Sequence, residues 1–236
     1  MQGSLSVVIP VYNEAAVIED VVNSAYREII KKHGNAELIV AEDGSTDGTK
    51  EILKKFLRVP DISVFTGDDK KGYFNALKGA LQIPQTDFIF YMDSDGTLDP
   101  REFWKLQDAI GSCDIVAGVR KNRDDPFYRK VLSSVYNAMV RFMFGLPLSD
   151  SNSGFKLFRR ESVATILPEI KHIPYGFSTE FLARAKRKGL NISAVEIMQS
   201  KRKAGKAEDF QLRKIPKVVY RQLDGMLKLK MELLRS

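Results

Sequence analysis

The sequence contains very little cysteine, histidine or tryptophan. Its 236 residues include one cysteine (Cys113), two histidines (His33 and His172) and one tryptophan. A single cysteine excludes an internal disulfide and a cysteine-rich zinc site, and it fits a reducing compartment such as the cytoplasm. With only two histidines, a histidine-based metal site or catalytic triad is not expected.

The sequence also lacks a long hydrophobic run. A helix that spans a bilayer needs ~20 consecutive apolar residues. The longest candidate, residues 127–144, carries Arg129, Lys130 and Arg141 in its body. Residues 6–10 resemble a first β-strand rather than a secretory leader. We therefore expect a cytoplasmic protein that does not cross a membrane by itself.

The positive charge is concentrated in one segment. Residues 201–236 hold eleven Lys/Arg and four Asp/Glu, which accounts for the whole net charge of +7. Helical periodicity over 212–234 gathers apolar side chains on one face and basic side chains on the other. Such a helix either lies in a membrane interface, attracted by anionic lipid, or docks on the core with its basic face in solvent. Charge confined to one helix is a poor indication of nucleic-acid binding, which we do not expect.

Strand-like and helix-like segments alternate along the chain, which predicts an α/β protein with parallel strands and helical crossovers. The predicted strands are 5–10, 37–41, 62–65, 87–92, 114–118, 154–159 and 191–197. The predicted helices are 14–33, 47–58, 72–82, 100–110, 127–144, 178–188 and 212–234. We expect one domain over 1–210, with a mostly parallel central sheet flanked by helices, followed by a C-terminal amphipathic helix over 211–236.

Two carboxylates separated by one residue, Asp93 and Asp95, directly follow the apolar run 88–92. A buried strand that ends in this pattern places oxygen ligands in the crevice where open α/β sheets bind ligands. Oxygen ligands suit Mg²⁺ or Mn²⁺, held by one or two carboxylates together with substrate phosphates. The alternative is a strand-end Asp that caps a helix or lies in a solvated turn.

Two other predicted strands end in groups that suit a nucleoside. Tyr12 follows the first strand and can stack on a base, and Asp43 follows the second and can accept from base or ribose. The neighbouring Asn13 and Asp47 have a simpler interpretation as caps of the helices that follow them. Both interpretations can hold together, because the caps use neither Tyr12 nor Asp43.

The combination of SVVIPVYNE, EDGSTDGT and MDSDG at this spacing resembles family 2 glycosyltransferases of the GT-A (Rossmann-like) fold. Further segments resemble the dolichyl-phosphate mannosyltransferase branch, the polyprenyl-phosphate sugar synthases. They are Gly118-Val119-Arg120, Pro126-Phe127-Tyr128-Arg129-Lys130 with Ser133, Ser153-Gly154-Phe155, and Glu180 nine residues before Gly189. The resemblance covers roughly residues 4–210.

This resemblance implies a set of site residues. The donor nucleotide would be bound by Pro10, Tyr12, Glu14, Ala41, Asp43, Asp93, Ser94 and Asp95. The metal would be bound by Asp93 and Asp95, with Thr97 at a position where the family often has Gln. Arg120 and Arg202 would assist departure of the diphosphate, and the acceptor phosphate would be bound by Arg129, Ser133 and Lys206. Arg suits this role because its guanidinium pairs bidentately with phosphate oxygens.

The chain departs from the family pattern near its end. Of R-x-x-G-x-S-K, Arg202 and Gly205 match, whereas the Ser-Lys pair is Ala207-Glu208; Lys206 is the candidate substitute. Many relatives also continue into transmembrane helices.

The resemblance implies inverting transfer of a hexose, with mannose from GDP-mannose favoured, to a polyprenyl phosphate at the cytoplasmic membrane face. A lipid phosphate is already anionic near neutral pH and needs little help from a base. A hydroxyl acceptor would need one, and Asp95 or Glu180 would be the candidates. Helix 127–144 would form one wall of a lipid groove or would be an ordinary core helix. The basic helix would provide contact with the membrane or with a membrane subunit.

Three alternatives remain at this point. One is a glycosyltransferase of the same fold with another donor, such as UDP-glucose, or with a hydroxyl acceptor. Another is a haloacid dehalogenase-like phosphatase, whose first motif resembles residues 88–98 but which leaves the motifs around Tyr12 and Asp43 unexplained. The third is a non-catalytic scaffold, which the two intact carboxylates disfavour. A Q-x-x-R-W pattern, typical of processive polysaccharide synthases, does not occur.

Overall fold

A computed structural model describes residues 3–121, 127–146, 148–200 and 215–235, without the side chains of 127, 129, 215 and 216. The described residues form a seven-stranded sheet with strand order β3-β2-β1-β4-β6-β5-β7. The strands are β1 (Leu5–Val11), β2 (Ala36–Glu42), β3 (Ile62–Thr66), β4 (Phe88–Met92), β5 (Ile115–Lys121), β6 (Phe155–Arg159) and β7 (Ile192–Met198). This architecture confirms the expected GT-A-like, mostly parallel sheet.

One strand, β6, runs against the others. It pairs antiparallel with β4 on one side and with β5 on the other, whereas the remaining neighbours are parallel. All five residues of β4 are buried, as expected for a central strand covered on both faces. The alternation of strands and helices predicted the parallel part of the sheet but could not indicate the direction of β6.

Helices cover both faces of the sheet. They are α1 (Ile18–Ala25), α2 (Lys31–His33), α3 (Thr49–Leu53), α4 (Tyr73–Ala80), α5 (Phe103–Ile110), α6 (Phe127–Phe144), α7 (Arg160–Ile166), α8 (Phe177–Arg187) and α9 (Ile215–Arg235). A π-helical turn, Tyr26–Ile30, joins α1 to α2. The sequence interpretation missed α7, and it started the first helix at residue 14, four residues before α1 begins.

The order of the strands determines where a ligand can bind. The chain moves outward from β1 to β2 and β3, and it then returns to the other side of β1 as β4. The loops after β1 and β4 therefore diverge, which opens a crevice at the carboxyl ends of these strands. Residues 12–14 and 93–97 follow these two strands, so both predicted motifs lie at the crevice.

The C-terminal helix α9 docks on the domain with only one of its faces. Met226 and Leu229 are fully buried, and Lys230 Nζ donates to the Met143 carbonyl oxygen at 2.6 Å. A second, exposed stripe consists of Val219, Tyr220, Leu227, Met231 and Leu234. The amphipathic helix is thus confirmed, but its apolar residues are divided between a docked face and an exposed face.

An ion-pair network fastens the end of α9. Arg184, almost fully buried, donates to Glu180 at 2.9 Å and to Glu232 of α9 at 3.0 Å, and the His172 ring contacts Glu232 at 2.5 Å. Burial alone would raise the pKa of Glu232, but hydrogen bonds from His172, Arg184 and Lys171 outweigh it and lower the pKa to about 2. Within the described ranges, no helix has the length and apolar character needed to cross a membrane.

Candidate active site at the carboxyl ends of β1, β2 and β4

The loops after β1 and β2 are joined by hydrogen bonds. The backbone N–H of Asn13 donates to Ser45 Oγ at 3.0 Å, and Asn13 Oδ1 accepts from the Thr46 N–H at 2.9 Å. The Glu14 N–H donates to Thr49 Oγ1 at 3.0 Å. Asn13 has φ = 53°, a left-handed conformation that Asn tolerates better than most residues. The sequence predicted Asn13 as a helix cap. In the structure it instead links the loops after β1 and β2.

Asp47 has the same linking role. Its Oδ2 accepts from the Ala15 N–H at 3.0 Å, and its Oδ1 accepts from the N–H and the hydroxyl of Thr49. Burial raises the pKa of Asp47, but these hydrogen bonds outweigh burial and the pKa lies below its usual value. Asp47 lies beside the start of α3 as expected, and it also fixes the loop after β1.

Asp43 binds a third loop. Its two oxygens accept from the backbone N–H groups of Lys71 and Gly72 at 2.9 and 3.0 Å. The close approach requires Gly44, which has φ = +72° and whose added Cβ would lie 2.5 Å from the backbone of Asp69. The segment before α4 therefore closes over the end of β2. A nucleoside at Asp43 would contact a carboxylate whose orientation the protein already fixes.

The remaining predicted nucleotide-binding residues lie at the same edge. Pro10 and Ala41 are paired in register on β1 and β2, and both are half-buried. The Lys70 ammonium lies 3.7 Å from the centre of the Tyr12 ring, a cation–π contact that the sequence did not reveal. A cation held at an aromatic ring beside the crevice suits a nucleoside that carries a diphosphate.

Asp93 lies half-buried at the end of β4. Its Oδ1 accepts from the Tyr91 hydroxyl at 2.5 Å, and that hydroxyl lies 3.1 Å from the hydroxyl of Tyr73 in α4. The carboxylate rests on Gly154, where an added Cβ would lie 2.0 Å from Asp93 Cγ. Burial, followed by the negative charge of Asp95, raises the pKa of Asp93. A cation between the two carboxylates would offset both effects.

Asp95 is oriented by Thr97. Its Oδ1 accepts from the Thr97 N–H at 3.0 Å and from the Thr97 hydroxyl at 2.8 Å. Ser94, between the two carboxylates, is buried. Thr97 was predicted as a metal ligand, and its hydroxyl lies against Asp95 as part of the same group.

The residues at this site fit a hard divalent cation. Oδ2 of Asp93 and Oδ2 of Asp95 accept no hydrogen bond from the described residues, so each carboxylate offers an oxygen. The described ranges supply no third His, Cys, Asp or Glu to this pair. Two carboxylates completed by substrate phosphates are the usual ligands of Mg²⁺, and they suit Mn²⁺ as well.

Arg120, at the end of β5, is held by a carboxylate that the sequence interpretation missed. Its Nε donates to Asp150 Oδ2 at 2.6 Å, and its Nη2 donates to Asp150 Oδ1 at 3.0 Å. The buried Lys156 lies nearby; burial lowers its pKa to about 8, while Asp150 and Asp93 oppose that shift. Two cations therefore accompany the carboxylates, as a site for a diphosphate requires.

A mostly apolar cavity of about 430 Å³ adjoins Arg120. Residues of α6 and α9 form most of its walls, and Arg120 and Asp150 also line it. Ser133, the predicted acceptor-phosphate residue of α6, lines this cavity and accepts from Asn137 Nδ2 at 3.3 Å. The structure thus brings Ser133 and Arg120 to one cavity, and α6 forms a wall of it.

Some predictions fall elsewhere. The Arg129 side chain, Arg202 and Lys206 lie outside the described residues. Glu180, a candidate base for a hydroxyl acceptor, is fully buried and accepts from the N–H groups of residues 171–173 and from Arg184. A base role for Glu180 is therefore wrong: its carboxylate has a structural function. The sequence shows only the four-residue spacing of Glu180 and Arg184, and the burial that makes this pair structural is visible in the structure alone.

Comparisons with known proteins show which family the chain resembles and which solved structures share its fold. The family model for "Glycosyl transferase family 2" matches residues 6–167. The chain is 33% identical over 198 residues to glycosyltransferase AglD of Haloferax volcanii, covering 80% of this chain and 32% of that protein. It is 24% identical to a dolichyl-phosphate beta-glucosyltransferase of Dictyostelium discoideum, covering 96% and 77%.

It is also 29% identical to an undecaprenyl-phosphate 4-deoxy-4-formamido-L-arabinose transferase of Aeromonas hydrophila, covering 69% and 51%. The chain thus spans about a third to three quarters of these relatives. Among solved structures, it is similar to glucosyl-3-phosphoglycerate synthase of Mycobacterium tuberculosis with UDP, at TM-score 0.74, 21% identity and coverage of 97% and 80%. It is also similar to a mannosyltransferase of Pyrobaculum calidifontis with GDP-Man and Mn²⁺, at TM-score 0.69, 16% identity and coverage of 100% and 65%.

The contact between Gly154 and Asp93 gives a direct test of the carboxylate's position. In Gly154→Ala the new methyl must displace the Asp93 carboxylate, since the space between them is already filled. We expect Mn²⁺-dependent nucleotide binding to weaken at least about tenfold, the range seen when the support of a metal ligand is removed. Isothermal titration calorimetry measures this loss.

Gly79→Ala is the matched control, because nothing lies within 4 Å of its added Cβ and Ala favours the helix. It should bind like the original chain. Equal binding by Gly154→Ala would contradict the position assigned to Asp93.

Proposed function

The chain belongs to glycosyl transferase family 2, and from this membership we propose that it transfers a hexose from a nucleoside diphosphate sugar to a polyprenyl phosphate. The observation that carries the proposal is the adjacency of two sites. Asp93 and Asp95 follow β4, and Arg120, whose charge lowers the pKa of Asp93 against the effect of burial, also lines an apolar cavity between α6 and α9. A metal-dependent diphosphate site beside an apolar groove fits a donor that is a nucleotide and an acceptor that is a lipid.

The crevice supports the donor half of the proposal. Tyr12, with Lys70 over its ring, and Asp43, fixed by the 71–72 backbone, would bind the nucleoside. Asp93 and Asp95 would hold Mg²⁺ or Mn²⁺, which when bound offsets the charge of the departing diphosphate. We propose GDP-mannose as the first donor to test. UDP-glucose is the second, because a relative that aligns with 96% of the chain carries the name of a glucosyltransferase.

The acceptor half requires an anionic nucleophile and a groove. A phosphate monoester is already largely ionised at neutral pH, so the described residues need not supply a histidine or another strong base. Arg120, oriented by Asp150, would lie between the departing diphosphate and this phosphate, to which Ser133 would donate a hydrogen bond. Direct attack by the phosphate oxygen at C1 breaks the bond to the leaving diphosphate and inverts the anomeric centre.

Contact with a membrane is the remaining part of the proposal. The outer surface of α6 exposes Tyr128, Val131, Leu132, Val135 and Phe142, and α9 exposes its own apolar stripe beside it. Water-exposed apolar side chains on two neighbouring helices suit a lipid interface. We propose that this face rests on the cytoplasmic side of a membrane, directly or through a membrane subunit, and that the groove opens toward the lipid.

Calorimetry tests the donor site. GDP-mannose, UDP-glucose, GDP and UDP would be titrated into the chain with Mg²⁺, with Mn²⁺ and with chelator. We expect micromolar binding of one base that requires the metal, and loss of that binding in Asp93→Asn and Asp95→Asn with the fold unchanged by circular dichroism. Metal-independent binding, or equal binding by both variants, would contradict the role assigned to these carboxylates.

The groove is tested by placing a charge on its wall. Leu132 lines the cavity and is 43% exposed. In Leu132→Asp a carboxylate would face the apolar chain of the acceptor, so KM for polyprenyl phosphate should rise about tenfold or more, equivalent to ~1.4 kcal/mol or more of lost binding. Nucleotide binding should not change.

Leu57→Asp is the matched control, since Leu57 is 59% exposed and lies after α3, outside the groove. Its KM should equal that of the original chain. An unchanged KM in Leu132→Asp would remove the groove from the acceptor site.

A further inference from the structure

A second cavity lies between the same two helices, near their other ends. It measures about 420 Å³ and is bounded by the ends of α6, α8 and α9. Its apolar lining is Met143, Phe144, Ala183, Leu233 and Leu234, and its rim carries three cations, Lys186, Arg187 and Lys230. It shares no lining residue with the groove at Arg120. Along α6 their nearest lining residues, Met139 and Met143, are roughly 6 Å apart at 1.5 Å per residue.

The three cations contact backbone carbonyl groups rather than carboxylates. Lys186 Nζ donates to the Gly145 oxygen, Arg187 Nε donates to the Leu233 oxygen at 2.9 Å, and Lys230 Nζ donates to the Met143 oxygen at 2.6 Å. No ion pair joins any of them to a carboxylate in the described part of the chain.

Cations at helix C-termini are stabilising in themselves, because carbonyl groups there carry partial negative charge. That role uses one N–H donor of each side chain. A lysine has three donors and an arginine has five. The cavity rim therefore retains hydrogen-bonding capacity and a local charge of +3 for an anion.

The surface around this cavity is apolar as well as basic. Phe142 is 92% exposed and Leu234 is 71% exposed, and Met231 is half-exposed on the neighbouring turn of α9. Arg141 and Arg235, also exposed, add two more positive charges. An exposed phenylalanine beside a cationic rim suits a ligand that is anionic at one end and apolar at the other. It does not suit a free phosphate or an acidic protein surface.

We propose that this cavity binds an anionic phospholipid of the membrane surface, with the headgroup phosphate on Lys186, Arg187 and Lys230 and the first part of an acyl chain against Met143 and Leu234. The proposal rests on the membrane contact in the proposed function and adds a specific site to it. An anchor here would hold the far ends of α6 and α9 at the bilayer. The polyprenyl groove would then open toward the lipid at the other end.

Vesicle binding tests this site. The chain would be sedimented with two kinds of vesicle, one of phosphatidylcholine alone and one that also contains ~30 mol% phosphatidylglycerol. The second kind has a strongly negative surface potential. The double variant Lys186→Gln/Arg187→Gln should lose about 30-fold in affinity for the anionic vesicles, the effect of ~1 kcal/mol for each cation. Binding to neutral vesicles should not change.

The matched control is Lys54→Gln/Arg58→Gln, which removes two exposed cations at the opposite edge of the sheet, near β3. It should lose little affinity. Equal losses in the two double variants would overturn the proposal, because the attraction would then depend on net charge alone. Equal binding to both vesicle types would also overturn it.

A second measurement does not depend on the variants folding. Short-chain dihexanoyl phosphatidylglycerol would be titrated into the original chain while the methyl NMR signals of Met143, Leu233 and Leu234 are followed. These signals should shift with this lipid and not with dihexanoyl phosphatidylcholine. Equal shifts with inorganic phosphate alone would mean an adventitious anion site and would overturn the proposal. Neither readout involves sugar transfer, so failure of this site is distinguishable from failure of the proposed activity.

Discussion

The carboxylate of Asp93 rests on the Cα of Gly154, and the structure of the crevice depends on this contact. Gly154 precedes β6, whose antiparallel direction brings the start of that strand to the end of β4. The Asp93 N–H donates to the Gly154 carbonyl oxygen at 2.9 Å, and Tyr91 donates to the carboxylate from the other side. A half-buried carboxylate is thus held in one orientation, and its Oδ2 accepts no hydrogen bond from the described residues. Burying a carboxylate in this way costs free energy unless a cation or hydrogen bonds compensate.

The same contact connects the metal side of the crevice to the nucleotide side. Tyr91 continues to Tyr73 at the start of α4, and the segment just before α4 donates two backbone N–H groups to Asp43. Hydrogen bonds at the start of α4, joined by the backbone of residues 71–73, therefore connect the predicted metal ligand to the predicted nucleoside ligand. Such pre-organisation lowers the cost of binding, because few groups remain to be ordered when the donor arrives. The second predicted metal ligand, Asp95, is held separately, by hydrogen bonds from the N–H and the hydroxyl of Thr97 two residues later.

The sequence allowed much of this arrangement to be predicted. Every predicted strand is present, because a central strand of an α/β sheet is a recognisable apolar run. The predicted ligands Tyr12, Asp43 and Asp93 follow strands that are neighbours or near neighbours in the sheet. Residues that act through tertiary contacts were missed. Asp150 binds Arg120 from a loop thirty positions away along the chain, and Lys156 alternates with apolar residues in β6 and resembles a solvent-facing position. The interpretation of Glu180 failed for the same reason, since its three backbone donors come from a turn that no local pattern indicates.

The central claim is that a nucleotide-sugar site and a lipid-phosphate groove meet at Arg120. The most direct test is to incubate the chain with Mn²⁺, GDP-mannose or UDP-glucose, and a short polyprenyl phosphate, and to identify the lipid product by mass spectrometry. The account predicts one new species, the polyprenyl phosphate enlarged by one hexose with its phosphate retained. Hydrolysis of the nucleotide sugar without a lipid product, or transfer to a non-phosphorylated polyprenol at the same rate, would contradict it.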